Sequence, residues 1–143
     1  MTATGEHVVV CSGMAQALGL VLGVLAADGI GRLAFEDPGG GGLASDLAAA
    51  ASMTALPVVV DEDGLDVGAL ERSGAQAVLV TPAHQWPTGV VLTGPRRQEL
   101  LSWAARNHGV IIEDDYDAEF RYDREPVGSM QGLAPDRDQL NRS

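Results

Sequence analysis

Gly-Val-Ile-Ile-Glu-Asp-Asp-Tyr-Asp-Ala-Glu-Phe-Arg-Tyr, from Gly109 to Tyr122, runs a continuous apolar segment directly into a cluster of carboxylates and tyrosines. An uninterrupted run such as Val110 to Ile112 suits a strand buried on both faces, as in a largely parallel sheet covered by helices. Val58 to Val60 has the same character. Carboxylates placed just past such a strand lie where open parallel sheets bind ligands, outside the carboxyl ends of their strands.

Outward from that segment, short β-branched runs alternate with longer Ala/Leu-rich stretches. Val8 to Cys11, Arg32 to Phe35, Val58 to Val60, Ala77 to Thr81 and Val110 to Glu113 predict strands. Ala15 to Ala27, Leu43 to Ala51, Val67 to Glu71 and Arg96 to His108 predict helices. The repeat is βα, so the expected fold is α/β: a mostly parallel sheet with helices on both faces, in three layers. The last helix has the clearest ends. Thr93 can cap it, Pro95 suits its first turn, Arg106 and His108 complement its dipole, and Gly109 fits a left-handed position after it. Gly39 to Gly42 reads as a flexible connection.

Composition narrows the function. The chain has 143 residues, enough for one domain with a real core. Its net charge of -11 opposes binding to a polyanion, so no direct DNA binding is expected of this chain. All nine basic side chains are arginine, which excludes chemistry that needs a lysine amine. Ala15 to Ala27 falls short of the roughly 20 residues a membrane span needs, and no basic segment precedes it, so the expected location is cytoplasmic. The single Cys11 fits a reducing compartment and, within its predicted strand, a buried packing role.

Four polar features fall at predicted strand ends: Ser12 to Ala15, Glu36 to Pro38, Thr81 to His84, and Glu113 to Asp117. Ser12-Gly13-Met14-Ala15-Gln16 joins a strand to a helix, where amides and dipole suit a phosphate; a tight turn holding nothing is the alternative. In Asp114-Asp115-Tyr116-Asp117 the crowding raises at least one pKa unless a metal, a protonated heterocycle or an arginine intervenes. A solvated acidic loop is the alternative there. Thr81 to Gly89 carries two prolines and a glycine, which fix an irregular backbone whose polar groups either touch a ligand edge or form a turn with Trp86 packed inward. His7 and His108 lack partners at metal-ligand spacing and read as surface residues.

Together these segments resemble the large domain of fold-type I aminotransferases that use pyridoxal phosphate, and most closely the aminotransferase-like domain of MocR/GntR-type transcription regulators. The motifs that carry the resemblance are Ser12 to Leu18, Glu36 to Gly39, Thr81 to Gly89 and Glu113 to Tyr122, within residues 8–133. It implies that Gly13, Met14 and Ala15 hold the cofactor phosphate, Asp114 pairs with the pyridine nitrogen, and Tyr116 hydrogen-bonds the ring hydroxyl. His84 is placed near the ring. Asp115, adjacent to Asp114, faces the other side of an extended strand, so the register leaves either one toward the cofactor.

Departures from the family pattern are equally specific. An aromatic residue that stacks on the ring normally follows the Asp-Pro-Gly motif, and here Gly40 stands there. The Schiff-base lysine, an arginine for the phosphate and the smaller domain have no counterpart. Residues 1–7 are expected to form a tail in place of the regulators' helix-turn-helix head, and residues 134–143 a divergent tail in which Asp138 to Ser143 reflect a shifted reading frame, with the domain truncated before the lysine. The resemblance thus implies weak, noncovalent pyridoxal phosphate binding without transamination by this chain alone, with an amino-acid effector as a further small-molecule partner. It also implies a homodimer or association with the missing segments. Two other functions compete. One is an interaction or relic module completed by another polypeptide. The other is a haloacid-dehalogenase-like, magnesium-dependent phosphatase built on Asp115-Tyr116-Asp117, opposed by the absence of lysine and of the usual threonine after the motif.

Overall fold

The structure, a computed structural model, describes residues 5–115 and Met130. Among these residues five strands form one sheet: β1 (Arg32–Asp37), β2 (Thr54–Asp61), β3 (Gly64–Leu65), β4 (Ala77–Val80) and β5 (Val110–Glu113), in the order β3-β2-β1-β4-β5. All neighbouring pairs are parallel except β2 with β3. The expected α/β class is therefore observed, with one short antiparallel addition. Chain progress runs from β1 to β2 on one side, then crosses to β4 and β5 on the other. A strand order that reverses in this way opens a crevice between β1 and β4, the topological switch point at which such sheets bind ligands.

Helices cover both faces. Alternate side chains of a strand point to opposite sides, and β1 shows this directly: Leu33 packs with Leu18, Leu22, Ala48 and Met53, whereas Ala34 packs with Leu65, Leu70, Leu100 and Trp103. The first group belongs to the face covered by α1 (Met14–Ala27) and α2 (Gly41–Ala50), the second to the face under α3 (Val67–Ser73) and α4 (Gly94–Asn107). No helix among the described residues is long and apolar enough to cross a membrane.

Caps explain where α3 and α4 begin. Asp66 accepts a hydrogen bond from the Ala69 amide at 2.9 Å, and Thr93 accepts one from the Arg96 amide, with Pro95 in the first turn. At the end of α4 the left-handed residue is His108, with φ 50°, and not Gly109 as expected. Gly109 serves another need. A Cβ there would lie 2.6 Å from the Trp103 ring.

Other expectations change as well. Val8 to Cys11 forms no strand; Val8, Val9 and Val10 are exposed, because no strand among the described residues lies beside them, and Cys11 is only half-buried. The glycine run is shorter as a connection than expected, since α2 begins at Gly41. Trp86 faces solvent with 61% of its surface exposed, so the loop it belongs to is not anchored by that ring.

Candidate functional site

At the carboxyl ends of β1, β4 and β5 a cavity of about 130 Å3 opens at the switch point. Leu79 and Thr81 come from the end of β4, Phe35 and Glu36 from β1, and Asp114 from the residue after β5. Met14 and Leu18 of α1 and Gly40, Leu43 and Ala44 around the start of α2 complete the wall. The lining is mostly apolar, with polar atoms contributed by two carboxyls and a hydroxyl. Such a site suits a flat apolar ligand with one polar or cationic edge.

Glu36 is the buried member of the pair, 6% exposed. Its Oε2 accepts hydrogen bonds from the Thr81 hydroxyl at 2.5 Å and the Thr81 amide at 3.3 Å, which ties β1 to the end of β4. Burial pushes its carboxyl up from the ordinary value, hydrogen bonds from Thr81 and Gln85 oppose the rise, and Asp114 adds to it. Burial likewise pushes the Asp114 carboxyl up, with the charge of Asp115 in the same direction. Each carboxyl thus favours a cation or an N–H donor as its neighbour.

Behind the rim, Gln85 joins two loops. Its Nε2 donates to the carbonyls of Pro38 at 2.6 Å and Trp86 at 2.7 Å, and its Oε1 accepts from the Thr88 hydroxyl and amide. At 1% exposure it is among the most buried polar groups described, and it locks the β1–α2 connection against the loop after β4. Neither Glu36 nor Gln85 was singled out as a site residue by sequence, although both lie inside segments that were. A carboxylate and an amide beside prolines look like ordinary loop residues until the neighbouring strand is known.

Alternation along β5 puts the neighbouring acids on opposite faces of the sheet. Glu113 and Asp115 face the α4 side, where their charges act on the Arg97 guanidinium, while Asp114 lies on the α1 side and lines the cavity. Arg97 is 5% exposed, donates from Nε to the Leu92 carbonyl at 3.1 Å, and is pushed down by burial against the pull of those two acids. Glu113 accepts a hydrogen bond from the Met130 amide at 2.6 Å.

The remaining sequence-predicted residues fall as follows. Met14 lines the same cavity as Asp114. Gly13, with φ 104°, is the N-cap of α1, and Ala15 is exposed in its first turn. The amides of Met14, Ala15 and Gln16 find no acceptor among the described residues, as a helix start requires, whereas Gln16 turns back to accept from the Ser12 amide at 2.6 Å. His84 is exposed on the loop after β4 and does not line the cavity. Tyr116 lies outside the described residues, as do Asp117 and the rest of the segment to Tyr122.

Sequence comparison points the same way. The HTH-type transcriptional regulator YdeL of Bacillus subtilis is 44% identical over 110 residues, 77% of this chain and 23% of that protein. The probable rhizopine catabolism regulatory protein MocR of Rhizobium meliloti is 34% identical over 128 residues, 90% of this chain and 26% of its own length. The chain is homologous to the aminotransferase-like part of MocR/GntR-type regulators. It spans about a quarter of the length of the curated relatives it matches. No protein-family model matches it. The aminotransferase-like fold is shown independently by the pyridoxal-phosphate-bound C-S lyase of Staphylococcus hominis, which superposes with a TM-score of 0.81 at 15% identity over 97% of this chain and 37% of the lyase.

The raised carboxyls give this aminotransferase-like domain a pH signature. An acid whose folded pKa exceeds its unfolded value contributes stability that is present below the unfolded pKa and lost as pH rises through the folded one. Glu36, Glu113 and Asp114 all shift in that sense. Glu36→Gln keeps an oxygen for Thr81 but cannot ionise. Its melting temperature is expected to exceed that of the wild type by a margin that grows as pH rises above the ordinary glutamate value of 4.5. Thermal melts across that range check it, and a margin that shrinks toward neutral pH contradicts it.

Proposed function

We propose that this chain is the pyridoxal-phosphate-binding portion of a MocR/GntR-type regulator, with the switch-point cavity as the ring site and no transamination by the chain on its own. One observation carries the reading: Met14, from the first turn of α1, and Asp114, from the tip of β5, line the same small cavity. A single heterocycle with a protonated nitrogen at one edge and an anionic tail at the other meets both requirements.

In this reading Asp114 holds the proton at the pyridine nitrogen, with its carboxylate as acceptor. Glu36 and Thr81 shape the polar edge beside it, and the first-turn amides after Gly13, at Met14 and Ala15, receive the phosphate. The apolar residues of α1 and α2 exclude water from the ring. Tyr116 takes the ring hydroxyl, and exposed His84 contributes at the rim at most. When bound, pyridoxal phosphate supplies an electron-withdrawing ring for substrates joined to it. The 143 residues contain no lysine to tether that aldehyde or to move protons at the substrate carbon. Sensing, by the cofactor alone or with an amino-acid effector, is therefore the role assigned, and the strongly acidic charge leaves DNA contact to other parts of such regulators.

An absorbance titration with pyridoxal phosphate tests this. Saturable binding is expected, reversed on gel filtration, with no side chain carrying a pyridoxyl group by mass spectrometry after borohydride treatment. Absence of saturable binding up to millimolar cofactor would overturn the assignment.

A further inference from the structure

Phe35 contributes the aromatic side chain among the residues that line the cavity. On β1 it stands between two buried residues, Ala34 and Glu36, yet is itself only half-buried, because its ring faces the cavity. Leu79 lies beside it in register on β4 and lines the same space. The ring also determines what can follow at the start of α2. A Cβ at Gly41 would lie 3.0 Å from Phe35 Cδ2, 3.1 Å from Cζ and closer still to Cε2. Alanine is otherwise the better residue inside a helix, so the glycine at this position is explained by the room it leaves for the ring. Gly40, also on the wall, adds no side chain that could cover the opening instead.

We infer that Phe35, seated on Gly41, is the aromatic wall against which the ring of a flat, protonated heterocycle lies while its nitrogen edge reaches Asp114. The inference rests on the ring site proposed above and adds to it a residue one position before the buried glutamate. Ring-to-ring contact is favoured beyond simple area burial by a factor of about 2 to 13 in affinity. Leucine at 35 keeps apolar bulk and loses that contribution. Alanine at 41 keeps the phenylalanine and displaces it.

Pyridoxal phosphate is titrated against the full chain, Phe35→Leu, Gly41→Ala and Asp114→Asn, with circular dichroism melts alongside. Expected are a three- to tenfold weakening in Phe35→Leu, a loss of similar size in Gly41→Ala, whose melting curve is lowered by overpacking yet stays well above the titration temperature, and a larger loss in Asp114→Asn. Wild-type affinity in both Phe35→Leu and Gly41→Ala, while Asp114→Asn still weakens binding, overturns the Phe35 wall and leaves the ring site standing. No saturable binding by the wild type overturns both. Should Phe35→Leu fail to fold, proton NMR of the wild-type complex decides: contacts between Phe35 ring protons and the cofactor ring are expected, and their absence overturns the inference.

Discussion

Asp114→Asn is expected to weaken pyridoxal phosphate binding by about 10- to 100-fold, since the variant not only exchanges a charge-assisted hydrogen bond for a neutral one but also leaves the ligand's positive charge without its buried partner, together a loss of roughly 1.4 to 2.7 kcal/mol. Asparagine matches the shape of aspartate, so the apolar wall from Met14 to Leu79 is preserved. What disappears is the negative charge that holds a proton on the ligand nitrogen. The sign of the Asp114 shift makes the experiment clean. Its pKa is raised by burial and by Asp115, so its ionisation takes stability away from the fold as pH rises above the ordinary aspartate value of 3.8. The variant should therefore be at least as stable as the wild type at neutral pH, and weaker binding cannot be ascribed to unfolding. Wild-type affinity should climb as pH increases through the Asp114 titration, and that limb should flatten in the variant. Calorimetric titrations at several pH values, paired with thermal melts, measure both. Equal affinities would remove Asp114 from the site.

What could be read from sequence was what depends on local pattern. Val110 to Glu113 matches β5 to the residue, and the Thr93 cap with Pro95 locates the start of α4, because apolar continuity and capping chemistry are short-range properties. Val8 to Cys11 misled for the complementary reason: β-branched residues favour extended backbone, but a strand also needs a neighbour to bond with, and sequence pattern does not supply one. The two-residue β3 is too short to show any period. In the site, Asp114 was legible because a carboxylate cluster followed a continuous apolar run, although β5 is half-buried along its length and not buried on both faces as expected. Glu36 was not, because its burial is created by Thr81, brought alongside from β4. Glycines were the most deceptive residues. Gly41 and Gly109 read as flexibility and as a left-handed cap, whereas both vacate space for an aromatic ring contributed from elsewhere in the chain.

That packing role underlies the second large effect, Trp103→Ala, for which a loss of about 3 to 5 kcal/mol in unfolding free energy is expected. Trp103 is 1% exposed and is the largest of the fully buried side chains. It belongs to the core cluster that also holds Leu70, Val78, Leu100 and Met130. Its ring occupies the place where a Gly109 side chain would stand, immediately before β5. β5 is the last strand of the described sheet and pairs only with β4 there, and its Ile111 packs against the cluster that holds Trp103. Removing the indole leaves a cavity under that strand. Gly109→Ala should act in the same direction by overpacking, costing about 1 to 3 kcal/mol. Against a typical total of about 5 to 15 kcal/mol, the tryptophan deletion consumes a large share of the stability of the fold. Urea denaturation at neutral pH measures it, and a loss under about 1 kcal/mol would show that the ring is dispensable to the core. Ligand linkage extends the test to the site. A cofactor that binds only the folded chain stabilises it by mass action, so saturating pyridoxal phosphate should raise the midpoint of Trp103→Ala, and should do so far less once Asp114→Asn is added. Rescue of that kind shows that the cofactor binds the folded domain and that Asp114 is part of what holds it there.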